Sequence, residues 1–364
     1  MKLVGIGDLF IPKDYIKNGF QPLDSLGVDV NVIDWELKDF TELQNINLLV
    51  ENGGSEAYEP PEYIFDAVED ADIIITQFCT VNSKMIDRCK NLKVIGVLRA
   101  GYENINVDYA SRKGILVYNT PGRNADAVAD FTVGMMIAEC RNIARGHLGL
   151  KEGIWIREYP NSSYIPDLPG KTVGIVGLGE IGLKVAKRLT GFDMKIIGYD
   201  PYAKKVPDYI SLVPLEELMR ESDFVTIHAR LTKETERMIN TELISLMKPA
   251  SYLINTSRSA LVDEKALYRA LKEGRLAGAA LDVFDVEPPG IDYPLVKLDN
   301  VTITPHMAGG SSDAFLNSPM KLAAEIAKIW EGKPSGNLIN KELFNDFIKR
   351  QFFRFEQKKF DKEA

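Results

Sequence analysis

Residues 171 to 182 constrain this chain more than any other stretch. A β-branched run, Lys171-Thr172-Val173-Gly174-Ile175-Val176, leads into Gly177-Leu178-Gly179-Glu180-Ile181-Gly182, and an amphipathic segment from Lys184 to Leu189 follows. A strand, a tight turn and a helix in that order form the setting in which a GxGxxG motif binds a dinucleotide. The first glycine permits the sharp turn, the second leaves room for backbone to meet a pyrophosphate, and the third lets helix approach strand. Unpaired N–H groups at the helix start, around Glu180 and Ile181, then face the phosphate charge. Glycine-rich turns also occur where nothing binds, so the next strand carries weight. Lys195-Ile196-Ile197-Gly198-Tyr199 ends in Asp200, at roughly the 20-residue offset of the acid that holds a ribose hydroxyl pair. A carboxylate there accepts from both hydroxyls and repels a 2′-phosphate, which points to NAD rather than NADP, a preference that Lys204 and Lys205 soften.

The rest of the chain alternates short β-rich runs with helical spacing. Strands are expected at Leu3–Gly7, Val28–Ile33, Asp72–Thr76, Leu92–Leu98 and Ile115–Tyr118, with helices at Tyr63–Val68 and Asn82–Cys89 between them. A single long helical pattern runs from Asn124 to His147, and a Pro-punctuated loop, Tyr159 to Gly170, delivers the chain to the glycine turn. Beyond it the alternation continues through Phe224–His228, Glu242–Met247, Tyr252–Asn255, Glu264–Glu273, Leu276–Val283 and Val301–Thr304 to a last helix, Ala314–Trp330. That is an α/β chain with largely parallel sheets, and 364 residues exceed one comfortable core, so two domains are expected. A net charge of −8 without a basic block in the body of the chain argues against nucleic acid. The tail from Lys349 to Lys362 mixes Lys, Arg and Phe with acids and reads as a solvated or subunit-packing helix. Three cysteines without CxxC spacing read as reduced thiols of a cytoplasmic protein. No run reaches the ~18 apolar residues of a membrane helix, and no cluster with metal-ligand spacing appears.

Chemistry-bearing residues gather after the last strands. His306 ends Val301-Thr302-Ile303-Thr304-Pro305 and opens into Met307-Ala308-Gly309-Gly310, where a catalytic side chain would meet a cleft; a satisfied core histidine is the plainer alternative. Glu287, in Leu281-Asp282-Val283-Phe284-Asp285-Val286-Glu287-Pro288-Pro289, could orient that histidine or be a surface acid. Arg258, in Asn255-Thr256-Ser257-Arg258-Ser259, could grip a carboxylate or flank a helix. His228 also ends a strand, and His147 lies late in the long helical pattern, where a surface or capping role fits.

Taken together, these segments resemble the D-isomer-specific 2-hydroxyacid dehydrogenases over roughly residues 70 to 332. The resemblance implies a catalytic trio of Arg258, Glu287 and His306, places Ser257 and Asp282 near the nicotinamide and His228 and Ala229 by the adenosine end, and assigns substrate contacts to Arg99, Ala100, Gly101 and Tyr102. It implies a Rossmann-type NAD-binding domain, residues 120 to 308, inserted into a flavodoxin-like substrate domain of residues 1 to 119 and 309 to 364, with a hinge near Thr120 and Gly309 and the active site in the cleft. It also implies a homodimer, hydride transfer between NAD and a D-2-hydroxy or 2-oxo acid, and no metal. Arg99-Ala100-Gly101 with Asn106-Val107-Asp108 is similar to the phosphoglycerate dehydrogenase branch, where the arginine would meet a phosphate; pairing of Arg99 with Glu103 or Asp108 is the structural alternative. Residues 333 to 364 are too few for the regulatory domain many of those enzymes carry. A glyoxylate or hydroxypyruvate reductase, and a corepressor-like protein that senses NAD(H) without turnover, remain rival readings. Three positions depart from the family pattern: Arg230 stands where proline is usual, Gln77-Phe78-Cys79-Thr80 replaces a small hydroxyl-rich turn near the substrate, and Ser259 follows Arg258 where glycine is common.

Overall fold

A computed structural model describes residues 1 to 350 and divides the chain into two units, Met1–Arg123 with the segment from Ser312 onward, and Asn124–Ser311. The crossings fall a few residues later than the 119/120 and 308/309 boundaries read from the sequence.

The first unit runs β1 (Lys2–Gly7), α1 (Lys13–Phe20), β2 (Asp29–Asp34), α2 (Phe40–Gly53), α3 (Glu62–Val68), β3 (Ile73–Thr76), α4 (Ser83–Arg88), β4 (Val94–Val97), α5 (Val107–Arg112) and β5 (Leu116–Tyr118). Its five strands are all parallel in the order β2-β1-β3-β4-β5. Alternate strand residues feed two cores, as the period of two requires. Val4, Ile6, Ile74, Ile95 and Val97 meet Leu43, Ile64, Phe65 and Met85 from α2, α3 and α4. Leu3, Ile73, Ile75 and Val94 meet Ile16 and Phe20 of α1 and residues of the returning C-terminal helix described below.

The second unit begins with α6 (Ala125–Cys140) and α7 (Ile143–Lys151). It then alternates β6 (Thr172–Val176), α8 (Glu180–Leu189), β7 (Lys195–Tyr199), β8 (Ile210–Leu212), α9 (Leu215–Glu221), β9 (Phe224–Ile227), α10 (Thr241–Leu246), β10 (Tyr252–Asn255), α11 (Glu264–Lys272), β11 (Gly278–Leu281) and β12 (Val301–Ile303). The seven parallel strands lie in the order β12-β11-β10-β9-β6-β7-β8. Val173, Ile175, Tyr252 and Ile254 pack on α6 and α8, while Val225, Ile227, Leu253 and Leu281 pack on α9, α10 and α11. Near-continuous burial along each strand is what a sheet covered on both faces demands. The chain then returns to the first unit in α12 (Ser312–Ala327), whose Leu322, Ala323 and Ile326 close the second core there.

The continuous helix expected from Asn124 to His147 is two helices. Asn142 takes a left-handed conformation, φ 56°, which asparagine tolerates better than most residues, and its side chain donates to Asn161 Oδ1 at 2.8 Å. A buried ion pair sits beside the break: Glu139, 1% exposed, is held by Arg145 at 2.7 and 2.8 Å and by the Thr302 hydroxyl at 2.6 Å. His147 is exposed on α7. The tail expected as a helix lies, from residue 351 on, outside the described residues. Among the described residues no helix is long and apolar enough to cross a membrane, and no three acid, histidine or cysteine side chains are grouped to hold a metal ion.

Candidate active site

In the second unit the chain leaves β6 for β7 and β8 on one side and reaches β9 to β12 on the other, so the strand order reverses between β6 and β9. Parallel sheets bind ligands at such a reversal, beyond the carboxyl ends of the strands. The glycine turn sits there. Gly177 has φ +92°, and a Cβ on it would lie 2.5 Å from Ala229 N, just past β9. A Cβ on Gly182 would lie 2.1 Å from the Gly177 carbonyl oxygen, so α8 can cross the turn only without a side chain at that point. Gly179 differs: a Cβ there meets nothing within 4 Å. Its freedom serves something other than internal packing.

Gly179 caps α8 without a side-chain acceptor, and the N–H groups of Gly179, Glu180 and Ile181 have no partner among the described residues. Three free donors at a helix start with an open approach fit a pyrophosphate. Asp200 closes the other end, its Oδ2 accepting the Leu178 N–H at 2.9 Å and its Oδ1 the Tyr202 N–H at 2.8 Å. A carboxylate has about four acceptor positions, so these two bonds aim it while leaving capacity for ribose hydroxyls. His228 Nε2 lies 2.9 Å from Thr226 Oγ1, and burial pushes its imidazole down to about 3, a neutral ring at neutral pH. Its Nδ1 has no partner among the described residues. The residues present fit a bound NAD.

Three adjacent strands position the reactive groups. β10 ends at Asn255, whose Oδ1 accepts the Ser257 N–H and hydroxyl at 3.0 and 2.8 Å and whose Nδ2 donates to the Arg258 carbonyl at 2.9 Å. That clamp presents Arg258 as an exposed residue. Its guanidinium bonds only the Ser257 carbonyl, at 2.7 Å, and meets no carboxylate among the described residues. β12 leads to His306, which adopts φ +49°. A bulky residue in this region costs roughly 1–3 kcal/mol and persists only where its surroundings over-determine it.

Asp282, fully buried after β11, supplies that determination. It accepts the Thr304 hydroxyl at 2.6 Å and the Met307 and Ala308 N–H groups at 2.9 Å each, while its own carbonyl takes the His306 N–H at 3.0 Å. The turn is thus wrapped around one carboxylate. These bonds give Asp282 the work of holding the His306 backbone, a role the family pattern does not announce. The imidazole itself is half exposed, with Nδ1 2.7 Å from Glu287 Oε2. Glu287 is anchored in turn by the Phe284 N–H on Oε1 at 3.0 Å. A carboxylate on Nδ1 fixes that nitrogen as the donor and leaves Nε2 to exchange a proton. Asn255 and Thr304 were not singled out from the sequence; a polar residue closing each strand was their only signal.

In the first unit the N–H groups of Ala100, Gly101 and Tyr102 have no acceptor among the described residues, and the turn is pinned by Asn119 Nδ2 on the Ala100 carbonyl at 2.6 Å. Arg99 is different. Its guanidinium is bound by Glu103 at 2.7 Å, Asn47 at 2.7 Å and Glu51 at 3.3 Å and stacks 5.0 Å above the Phe78 ring. Pairing with Glu103, the structural alternative, is the arrangement present; Asp108 takes no part.

The model of the D-isomer specific 2-hydroxyacid dehydrogenase NAD-binding domain matches residues 133–308. The chain is 42% identical over 284 residues to D-3-phosphoglycerate dehydrogenase of Methanocaldococcus jannaschii, a match covering 77% of this chain but 53% of that enzyme, so it spans about half of that relative's length. It is 39% identical over 295 residues to glyoxylate reductase of Thermofilum pendens, covering 78% of this chain and 86% of that enzyme. A solved structure of a D-isomer specific 2-hydroxyacid dehydrogenase from Lactobacillus delbrueckii ssp. bulgaricus, NAD complexed, superposes with a TM-score of 0.73 over 93% of this chain and 100% of that one; at 24% identity it speaks for the fold alone.

Proposed function

The chain belongs to the D-isomer-specific 2-hydroxyacid dehydrogenase family, and from that premise we propose that it interconverts a short unphosphorylated 2-oxo acid and the matching D-2-hydroxy acid. The observation that carries the reading is the His306–Glu287 pair, a half-exposed imidazole held on a strained turn with one nitrogen fixed at 2.7 Å and the other without a partner among the described residues. Bound NAD supplies or accepts the hydride. Nε2 of His306 gives a proton to the oxygen that becomes the hydroxyl, and takes it back in the oxidative direction. Glu287 keeps the imidazole in the one tautomer and orientation that can do so, and balances its charge when protonated. Arg258, with no carboxylate to neutralise it, holds the substrate carboxylate and polarises the adjacent carbonyl. The free N–H groups of Ala100, Gly101 and Tyr102 are further donors suited to a carboxylate. A phosphorylated substrate is disfavoured by Arg99, whose guanidinium is already occupied.

Initial rates of NADH oxidation with a panel of 2-oxo acids test this reading. Wild type should turn over at least one, and His306→Gln should lower kcat by on the order of 10²–10⁴, the worth of a general acid, while NADH still quenches tryptophan fluorescence with nearly its original Kd. Turnover by wild type on none of the panel would leave a nucleotide-sensing role instead. Two further parts of the reading rest on the surface. Leu148, Leu150, Trp155 and Ile156 expose large apolar side chains on and just after α7, Trp155 at 79%, and such a run fits a second copy of the chain. Sedimentation should show a dimer that Trp155→Glu weakens. All three cysteines are buried and unpaired, which fits a reducing cytoplasm.

A further inference from the structure

Buried polar atoms that lack a partner are rare in native interiors, and each calls for an explanation. Seven such atoms lie in the first unit among the described residues; besides Trp35 Nε1 and Tyr118 Oη, five without a hydrogen-bond partner gather at one end of the sheet: Asp8 Oδ2, Gln77 Nε2 and Oε1, Asn104 Oδ1 and Arg123 Nη1. Asp8, Gln77 and Asn104 are each more than nine-tenths buried. The strand order explains the place. From β1 the chain goes to β2 on one side and to β3, β4 and β5 on the other, so the reversal lies between β1 and β3. Asp8 directly follows β1 and Gln77 directly follows β3. That is where an open parallel sheet of this order binds a ligand.

Neighbouring bonds fix which atoms are left over. Phe10 and Ile11 N–H groups both occupy Asp8 Oδ1 at 2.9 Å, leaving Oδ2. Asn104 Nδ2 donates to the carbonyls of Cys79 and Gln77 at 3.0 and 3.3 Å, which leaves Oδ1 as a free acceptor. Arg123 lies 5.0 Å over the Phe315 ring, Phe315 stacks on Phe10 at 5.1 Å, and Phe10 meets Phe78 at 6.1 Å. The polar atoms are thus bordered by a row of aromatic faces. Three of the leftover atoms accept and two donate. A hydroxyl does both, so successive hydroxyls on a short carbon chain can satisfy the set, and their C–H faces can lie on the rings. A phosphate only accepts, and it would bring its charge against Asp8. An apolar tail would leave every atom unpaired, a mismatch that such sites reject strongly.

We propose that Asp8, Gln77, Asn104 and Arg123 recognise the free hydroxyls of a polyhydroxylated, unphosphorylated 2-oxo acid. This rests on the function proposed above and narrows its substrate to acids with hydroxyls at C3 and beyond. The test compares kcat/KM of the full chain with NADH for glyoxylate, hydroxypyruvate, 2-oxo-3,4-dihydroxybutanoate and 3-phosphohydroxypyruvate. The dihydroxy acid should exceed both glyoxylate and the phosphorylated acid at least tenfold. In Gln77→Leu the ratio of the dihydroxy acid to glyoxylate should fall at least tenfold while Tm holds or rises, since the change removes two unpaired buried atoms. Arg123→Met should lower the same ratio, and Gln77→Leu alone decides the matter if that variant does not fold. Reduction of glyoxylate with no preference for the dihydroxy acid, or an unaltered ratio in folded Gln77→Leu, overturns this inference and leaves the function standing. Failure on all four acids overturns both.

Discussion

The stability of Asp8→Asn measured against wild type should rise with pH. Asp8 is 6% exposed, and burial pushes its carboxyl up from 3.8 to about 6, against the opposing pull of the Ile11 and Phe10 N–H groups, the Arg123 guanidinium and the Phe78 N–H. The sign follows from which state holds the proton. Between about 4 and 6 the folded chain keeps a proton that the unfolded chain has lost, so the contribution of Asp8 to stability is complete below 3.8 and disappears as pH rises through about 6. Moving the carboxyl from 3.8 to about 6 corresponds to about 3 kcal/mol, of which roughly 2 kcal/mol is lost between pH 4.5 and 7.5.

Asparagine retains an oxygen for Phe10 and Ile11, stays neutral throughout, and adds a buried amide group whose fixed cost is the same at every pH. The quantity to measure is therefore the change in the stability difference, not the difference itself. Urea unfolding in a Trp155→Phe background leaves Trp35 and Trp330, both in the first unit, as the fluorescent reporters. The variant should gain about 2 kcal/mol on wild type from pH 4.5 to 7.5. A difference constant within about 0.5 kcal/mol, well below that linkage, or one that shrinks as pH rises, would refute the idea that a carboxylate is held there at a cost.

Asp282→Asn sets an amide NH2 among three donors and should cost about 1–3 kcal/mol while lowering kcat more than it raises KM, because the His306 turn loosens; steady-state kinetics with a parallel Tm read both. Arg145→Met leaves Glu139 buried without its ion partner and should destabilise the second unit by about 3–5 kcal/mol, seen as a lower urea midpoint, whereas a change under 1 kcal/mol would mean that Thr302 suffices. Asp200→Ser removes the charge that repels a 2′-phosphate; the NADH-over-NADPH ratio of kcat/KM should fall at least tenfold, and an unchanged ratio would take Asp200 out of the cofactor contacts.

The glycine turn was legible because everything it needs is local: a β-branched strand, three glycines and an acid at the end of the following strand. The family pattern extended that to Arg258, Glu287 and His306, and their strand-end settings are as the sequence suggests. Other features depended on signals that were present but unread. Helix α2 opens on a capping-box sequence, Asp39 to Glu42: the Glu42 N–H reaches Asp39 Oδ1 at 2.9 Å, while Glu42 Oε2 takes the N–H of Lys38, one residue before the cap, at 2.6 Å. Asn142 tolerates a left-handed turn, but so do Gly134 and Gly146 in the same Asn124–His147 pattern, so the sequence did not say where the break falls. Strand β8 has three residues and pairs only with β7, too short for any periodicity. Arg99 could not be settled from its own segment, because Asn47 and Glu51 come from α2 and no local pattern announces them.

The two strand-order reversals explain why one binding region reads out of the sequence and the other does not. At the β6/β9 reversal the ligand is met by backbone, and backbone recognition leaves glycines as its trace, since only their absence of a side chain allows Gly177 to touch Ala229 and α8 to cross Gly182. At the β1/β3 reversal the available groups are side chains, and any of several polar residues can stand at a strand end without marking it. Asp8 and Gln77 become a pair only when β1 and β3 are hydrogen-bonded side by side with Ile6 opposite Thr76. Side-chain recognition is also the part that can change without disturbing the fold, since replacing a strand-end residue alters what is bound and leaves the sheet register intact. Differences in substrate among relatives that share the glycine turn should therefore be sought at the positions of Asp8, Gln77, Asn104 and Arg123 before any position in the second unit.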